Sequence, residues 1–394
     1  MKRIFADLHI HIGRTKSGKP VKITGAKTLT FDNIIQYAKF QKGLHMIGII
    51  DSHSPEVLAE IEEKVAKGYL VPKLGGGLDM DGLTILLGSE LEIYDENCQG
   101  PVHVLVFFST IEKMKEFSGW LSAFLKNITL SSQRVYVTGV ELQQKVKGMG
   151  GLFIPAHIFT PFKSLYGSGV NRSLSEVFDP NLIDAVELGL SSDTSMADSI
   201  EELHRYSYLT NSDAHSLGKM AREYQIIEMQ EASFAEFEKV LKNQDGRRII
   251  ANYGLDPVLG KYHETVCSKC FHPLKKVGET CEACGSMKGI KGVSSRIKEL
   301  SNGKTDIVRP PYIYQVPLEF IPGLGKKTLE KLLSYFSTEM QIIHEAPEEN
   351  LKMIIPEKVA DYIVAARTGK LLFSVGGGGK YGKIDTRVFD KNRR

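Results

Sequence analysis

Over residues 1–250, short apolar runs alternate with amphipathic stretches, and nearly every run is bordered by a residue of metal-binding type. The runs 3–8, 46–50, 84–87, 102–108, 151–155, 185–188 and 208–210 read as buried strands, with 224–228 and 248–252 as two more. Phe234, Phe237 and Leu241 recur at i, i+3 and i+7, which makes 233–242 a helix. Residues 31–42, 55–67, 111–126 and 138–147 read the same way. This alternation implies an α/β fold with parallel strands, and about seven strands fit a closed barrel. A doubly wound open sheet is the competing architecture, but no G-x-G-x-x-G follows the first run.

The bordering residues fall mostly at strand ends. Asp7, His9 and His11 close the first run, Asp51 and His53 the second, and Glu90 the third. His157 closes the fifth, Asp213 and His215 close the run at 208–210, and His103 stands early in the fourth. In a parallel barrel all strand C-termini share one rim, where active sites are built. Six of the eleven histidines therefore meet there with Glu90 and Asp213. His9 and His11 are two apart on extended chain, so their rings point to the same side, and Asp213 and His215 repeat the arrangement. Imidazoles mixed with carboxylates suit zinc, manganese or iron. Eight such ligands exceed the need of one tetrahedral ion. Two or three ions bridged by a carboxylate would use them, as in enzymes that cleave phosphate esters.

The back half has a different character. Residues 1–248 hold 27 basic and 31 acidic side chains, net −4, whereas residues 249–394 hold 23 and 16, net +7. A basic back half suits a polyanionic partner. Four of the five cysteines, Cys267, Cys270, Cys281 and Cys284, form two C-x-x-C pairs ten residues apart, the spacing of a tetrahedral zinc ribbon. Lys269, Lys275, Lys276, Lys288 and Lys291 crowd around them, and Cys98 stands apart as a bystander. Such cysteine use belongs to a reducing compartment. No apolar run approaches the ~20 residues that span a bilayer, and Asp7, His9 and His11 interrupt what would be a leader. A cytoplasmic location with no membrane partner is the expectation.

Residues 293–311 read as a linker or crossing segment. Then comes L-E-F-I-P-G-L-G-K-K-T-L-E-K-L-L, residues 318–333, which resembles a helix–hairpin–helix motif. Gly323 and Gly325 let the backbone approach a phosphate, and Lys326 and Lys327 open the helix whose N–H groups face it. Residues 350–369 resemble a second copy without the glycines, and Gly376–Gly379 with Lys380 and Lys383 is a candidate phosphate nest.

D-L-H-I-H, D-S-H, G-S-E, the His of P-V-H, A-H and S-D-A-H together resemble the motifs of the polymerase-and-histidinol-phosphatase (PHP) superfamily. The resemblance implies a distorted seven-stranded β/α barrel with a trinuclear metal centre. By it, His9, His11, Glu90 and Asp213 hold the first ion and form the catalytic set. Glu90, His103 and His157 hold the second, and His53 and His215 the third. Many members carry another His after H-x-H, where this chain has Gly13-Arg14-Thr15-Lys16, so the third site is the least complete. The order of barrel (1–255), four-cysteine ribbon (256–292) and helical C-terminal region (293–394) resembles the endonuclease Q family. That resemblance implies a DNA-repair enzyme that nicks 5′ to deaminated bases (uracil, hypoxanthine, xanthine) or abasic sites. It implies Zn²⁺ in the ribbon and at the active site, with Mg²⁺ or Mn²⁺ as alternatives for activity. Lys16, Lys19, Phe159, Tyr166 and Ser191 are further candidates for DNA contact, and a sliding clamp is a further candidate partner. The competing functions are a phosphatase for small phosphomonoesters and a non-catalytic DNA-binding PHP protein.

Overall fold

The structure, a computed structural model, describes residues 1–260, 262–303 and 307–371 and the backbone pair Phe373–Ser374 and Lys383–Ile384. Seven strands follow one another around the barrel: β1 (Lys2–Ile10), β2 (Met46–Ile49), β3 (Leu83–Ile93), β4 (Val102–Phe108), β5 (Leu152–Pro155), β6 (Ala185–Glu187) and β7 (Ser207–Leu209). β1, β2 and β3 run parallel. β6 and β7 form a separate parallel pair. Its seams are short: Asp184 N–H donates to Phe153 O and Ile158 N–H to Glu187 O on one side. On the other, Ala214 N–H donates to His9 O and His11 N–H to Ala214 O. These interrupted ladders are the distortion of the barrel.

The strands are not all parallel, contrary to the expectation. β4 runs antiparallel to β3 and to β5. The connection 94–101 is too short for a crossover, which takes a dozen residues or more. That reversal explains why His103 lies at the start of its run: the N-terminal end of β4 reaches the rim where the other strands end. β3 is also longer than residues 84–87, and Glu90 lies inside it rather than past its end. Leu86, Gly88 and Glu90 share one face of β3, and His103, Leu105 and Phe107 share one face of β4. Leu86, Leu105 and Phe107 fill the barrel interior with Ile4, Ala6 and Leu8. The candidate ligands Glu90 and His103 are thus the top layer of the inward-facing side chains. A register irregularity between Asp7 and Ile10 re-aims the end of β1, so that Leu8 faces the core and His9 the site.

β8 (Tyr224–Met229) and β9 (Arg248–Gly254) extend the sheet antiparallel beyond β1. Helices α1 (Phe31–Gln36), α2 (Pro55–Ala66), α3 (Ile111–Leu121), α4 (Gly139–Gly148) and α5 (Phe234–Leu241) flank the strands. The ribbon contributes the paired strands β10 (Val266–Cys267) and β11 (Gly289–Ile290). Residues 293–311 are more than a linker. They contain α6 (Val293–Leu300), whose Arg296 donates to the Tyr166, Val170 and Asn171 carbonyls of the barrel. Arg309 then ion-pairs with Asp198 at 3.0 Å. β12 (Tyr312–Tyr314) follows and joins the barrel sheet parallel to β9.

Beyond it lie α7 (Lys326–Phe336), α8 (Glu339–His344), α9 (Glu348–Ile354) and α10 (Glu357–Arg367). Gly323 has φ +83°, and a Cβ there would meet Val359 at 3.0 Å, so the hairpin before α7 needs glycine. α9 and α10 repeat the helix-turn-helix outline around Ile355-Pro356. The unit is tied to the barrel by the buried pair Lys42–Glu339 at 2.8 Å and by Tyr224, which bonds Gln315 and His344.

Candidate metal centres

Three overlapping groups of side chains could each hold an ion on the barrel rim: His9, His11 and Glu90; His11, Asp213 and His215; and Glu90, His103 and His157. Glu90 and His11 each belong to two groups, so the ions would share ligands. His53 falls in none of the three. It is buried, with Nδ1 2.7 Å from Ser89 Oγ and Nε2 without a hydrogen-bond partner, and it is not grouped with His215. Asp7 is also buried, but its carboxylate accepts the Ser212 and Ala221 N–H groups and pins the loop that carries Asp213.

Hydrogen bonds on the far side fix each ring. His9 Nδ1 lies 3.0 Å from Glu187 Oε1, which leaves Nε2 turned to Glu90 and Asp213 at 3.4 Å each. His11 Nδ1 lies 3.1 Å from Asp51, with Nε2 3.5 Å from both Glu90 and Asp213. Glu187 accepts from Asn211 and from the His157 backbone N–H, so one carboxylate orders three parts of the rim. Carboxylate–histidine pairs of this kind orient metal ligands and raise their basicity. Glu187 was missed in the sequence, where an acid inside the apolar run A-V-E-L was its only signal.

The donor set passes a geometric test for metal. The Nε2 atoms of His9, His11 and His103 are buried and lack a hydrogen-bond partner. Two ligands about 2.1 Å from one ion at a tetrahedral angle lie about 3.4 Å apart, which is the His9–Glu90 and His9–Asp213 separation. Burial opposes ionisation of Glu90, yet His103 and Lys22 hold its carboxyl well below the usual range. Asp213 is likewise held low against burial by His9 and His11. Burial disfavours charge on His9, but Glu187 and Asp213 raise its ring well above the ordinary value. Lys22 reaches into the same centre, 3.0 Å from Glu90 and 2.6 Å from Ser132 Oγ. The centre opens into a cleft of about 460 Å³, lined on its sides by Lys22, Ser132, Gln133, Phe162, Lys163 and Tyr262.

The second centre is the ribbon. All four cysteines are free thiols, and their Sγ atoms gather within 4.8 Å of one another. The Cys267–Cys284 and Cys270–Cys281 separations are 3.6 and 3.5 Å. A disulfide needs about 2.05 Å, whereas thiolates around one zinc lie about 3.8 Å apart. Cys98 is buried in the barrel, and burial pushes its thiol up to about 12.

The candidate DNA contacts divide. Phe159 and Tyr166 are not accessible rings: both are buried, and they stack on each other at 5.4 Å, with Tyr166 Oη bonded to Glu202. Ser191 is buried as well, packed under Gly260. Aromatic spacing in a loop does not distinguish a ring that packs inward from one that faces out. The exposed ring of that loop is Phe162. Lys16 and Lys19 are exposed, in ion pairs with Glu63 and Glu56. Gly325 is the N-cap of α7 with no side-chain cap, and Lys326 and Lys327 beside it are exposed. Gly376–Gly379 and Lys380 lie outside the described residues.

A mixed β/α barrel whose rim gathers three possible metal-binding groups, joined through Glu90 and His11, is the framework of a metal-dependent hydrolase. The whole chain superposes on the lesion-specific endonuclease PfuEndoQ from Pyrococcus furiosus with a TM-score of 0.84, at 33% identity, covering 100% of this chain and 99% of that one. The chain belongs to the endonuclease Q family. It matches an endonuclease Q complexed with a 27-mer duplex bearing an abasic lesion with a TM-score of 0.83, at 33% identity over 97% of this chain and 96% of that chain. YqxK of Bacillus subtilis is 59% identical over 385 residues, 98% of this chain and all of that protein. MJ0043 of Methanocaldococcus jannaschii is 42% identical over 253 residues, 57% of this chain and 31% of that protein. No protein-family model matches the chain. Among the described residues no helix is long and apolar enough to cross a membrane.

Proposed function

We propose that this chain is a cytoplasmic DNA-repair endonuclease that nicks the phosphodiester on the 5′ side of a deaminated base (uracil, hypoxanthine or xanthine) or an abasic site. The observation that carries the reading is a rim of ligand groups sharing Glu90 and His11, in a chain that aligns end to end with a lesion-specific endonuclease.

In this reading His9, His11, Glu90, His103, His157, Asp213 and His215 hold the active-site ions, and His53 is the remaining candidate for a third site. When bound, divalent ions (Zn²⁺, with Mg²⁺ or Mn²⁺ as alternatives) supply Lewis-acid polarisation of the phosphate and of the attacking water. Glu187 and Asp51 hold the His9 and His11 rings in register before substrate arrives. Lys22 lines the cleft as a cation for a non-bridging phosphate oxygen. The four cysteines hold a structural zinc ion, since four thiolates leave no open position. The ribbon (256–292) and the helical region (293–394) hold DNA, with the uncapped start of α7 on the backbone.

The test is incubation with labelled duplexes carrying each lesion in Mg²⁺ or Mn²⁺, with the cut position mapped. Cleavage on the 3′ side, or none, overturns the reading. Asp213→Asn abolishes cleavage while sparing DNA binding in a gel-shift assay.

A further inference from the structure

We propose that Ile23 is a wedge that holds a lesion-containing duplex open at the metal cleft, and that Phe162, braced by Tyr262, is the face on which the displaced nucleotide stacks. The proposal rests on the lesion-nicking reading and adds to it how the duplex is entered.

The cleft has a charged floor and two apolar tips. Ile23 and Phe162 lie on separate loops that line it, and they are 69% and 52% exposed. Single exposed apolar side chains are common on protein surfaces and carry no message. Here each tip adjoins a lysine whose amine turns toward the acidic side of the site. Lys22 pairs with Glu90, and Lys163 pairs with Glu92 at 3.0 Å. With the lysines turned inward, the apolar side chain is what projects from each lip, which suits entry into a base stack.

The loop bearing Ile23 is stiff, as a wedge must be. Val21 is buried two residues before the tip, and its carbonyl accepts from Ser131 N–H. Lys22 N–H donates to Ile12 O, Gly25 N–H to Lys22 O, and Ala26 N–H to His215 O. Gly13 and Gly25 press together at the neck, where a Cβ on Gly25 would lie 2.9 Å from Gly13 Cα. Ile23 therefore stands at the end of a closed loop tied to the segments that carry His11, Ser131 and His215. On the other lip, the Phe162 ring meets Tyr262 edge to face at 5.7 Å. Tyr262 belongs to the ribbon region 256–292, so that region supports this lip. Bases stack on aromatic faces whatever their identity, which suits a site that accepts several lesions.

Extruding a nucleotide costs unstacking and unpairing energy, least for a damaged or mispaired base. The test reads that step apart from chemistry. In an Asp213→Asn background, a duplex with a lesion and a neighbouring 2-aminopurine reports unstacking on binding as a rise in fluorescence. I23M keeps the rise and I23S loses it. In the otherwise unaltered enzyme, I23S slows duplex nicking about 10- to 100-fold. The same lesion in a one-nucleotide bulge, already extrahelical, is nicked within about two-fold of the unaltered rate. F162A slows both substrates, because the displaced nucleotide needs its stacking face in either. Unchanged duplex nicking by I23S, or equal slowing of duplex and bulge, overturns the wedge. If the unaltered enzyme nicks neither substrate, the lesion-nicking reading itself fails and takes the wedge with it.

Discussion

The ligands of the barrel rim hang from strands whose other ends are packed into an apolar core, whereas the ribbon cysteines flank strands of two residues each. Glu90 sits on an eleven-residue strand, with Leu86 beneath it on the same face. Cys267 ends one two-residue strand, and Cys270 is exposed. In the barrel the fold places the ligands, and hydrogen bonds from Glu187, Asp51 and Ser89 hold the rings in place. The ribbon strands pair over two residues each, so a bound ion would be what places that fold. Metal binding of this structural kind is worth about 10–16 kcal/mol in isolated zinc-finger peptides. Metal-binding side chains can thus be either a product of folding or its cause.

Three measurements sharpen that contrast. The largest effect is expected from Glu90→Gln. It removes the charge shared by two ligand groups, and nicking should fall by about 1,000-fold or more. The circular-dichroism spectrum should stay native, because the core under Glu90 is untouched. Unfolding of this variant would mean that the rim, like the ribbon, depends on its ions. Next is Glu187→Gln, which keeps the shape but weakens the hold on His9. Metal affinity or activity should drop about 10- to 100-fold, read as a higher metal concentration for half-maximal nicking. The smallest effect on the barrel is expected from Cys281→Ser. Hydrogen exchange should rise sharply in residues 262–291 while β1–β5 keep their protection. Equal loss of protection in both regions would break the contrast.

The depth to which each region can be read in the sequence follows the same division. The ribbon is fully legible, because its spacing is the structure. The barrel ligands are legible because they continue apolar runs, and every ligand in the three groups stands at a run's edge. Their far-side partners are harder to find. Glu187 and Ser89 are polar residues inside strands, and nothing in the chain marks them as facing His9 or His53. The reversal of β4 was not legible, because the apolar run 84–87 stops six residues before β3 does and leaves a gap that looks long enough for a crossover. The burial of Phe159, Tyr166 and Ser191 was not legible, since it depends on contacts with Glu202 and Gly260, which lie 36 residues or more away along the chain.

The return of β12 to the barrel has a further consequence. The edge of β9 is covered by a strand that arrives only after the chain has passed through the ribbon and α6. A chain cut at residue 292 would keep every rim ligand, yet it would bare the β9 edge as a template for pairing with another chain. It would also release Asp198 from Arg309. The barrel sheet is therefore finished by the region that follows α6. Its last strand is borrowed from beyond the ribbon, so shortened versions should self-associate before they lose their ligands.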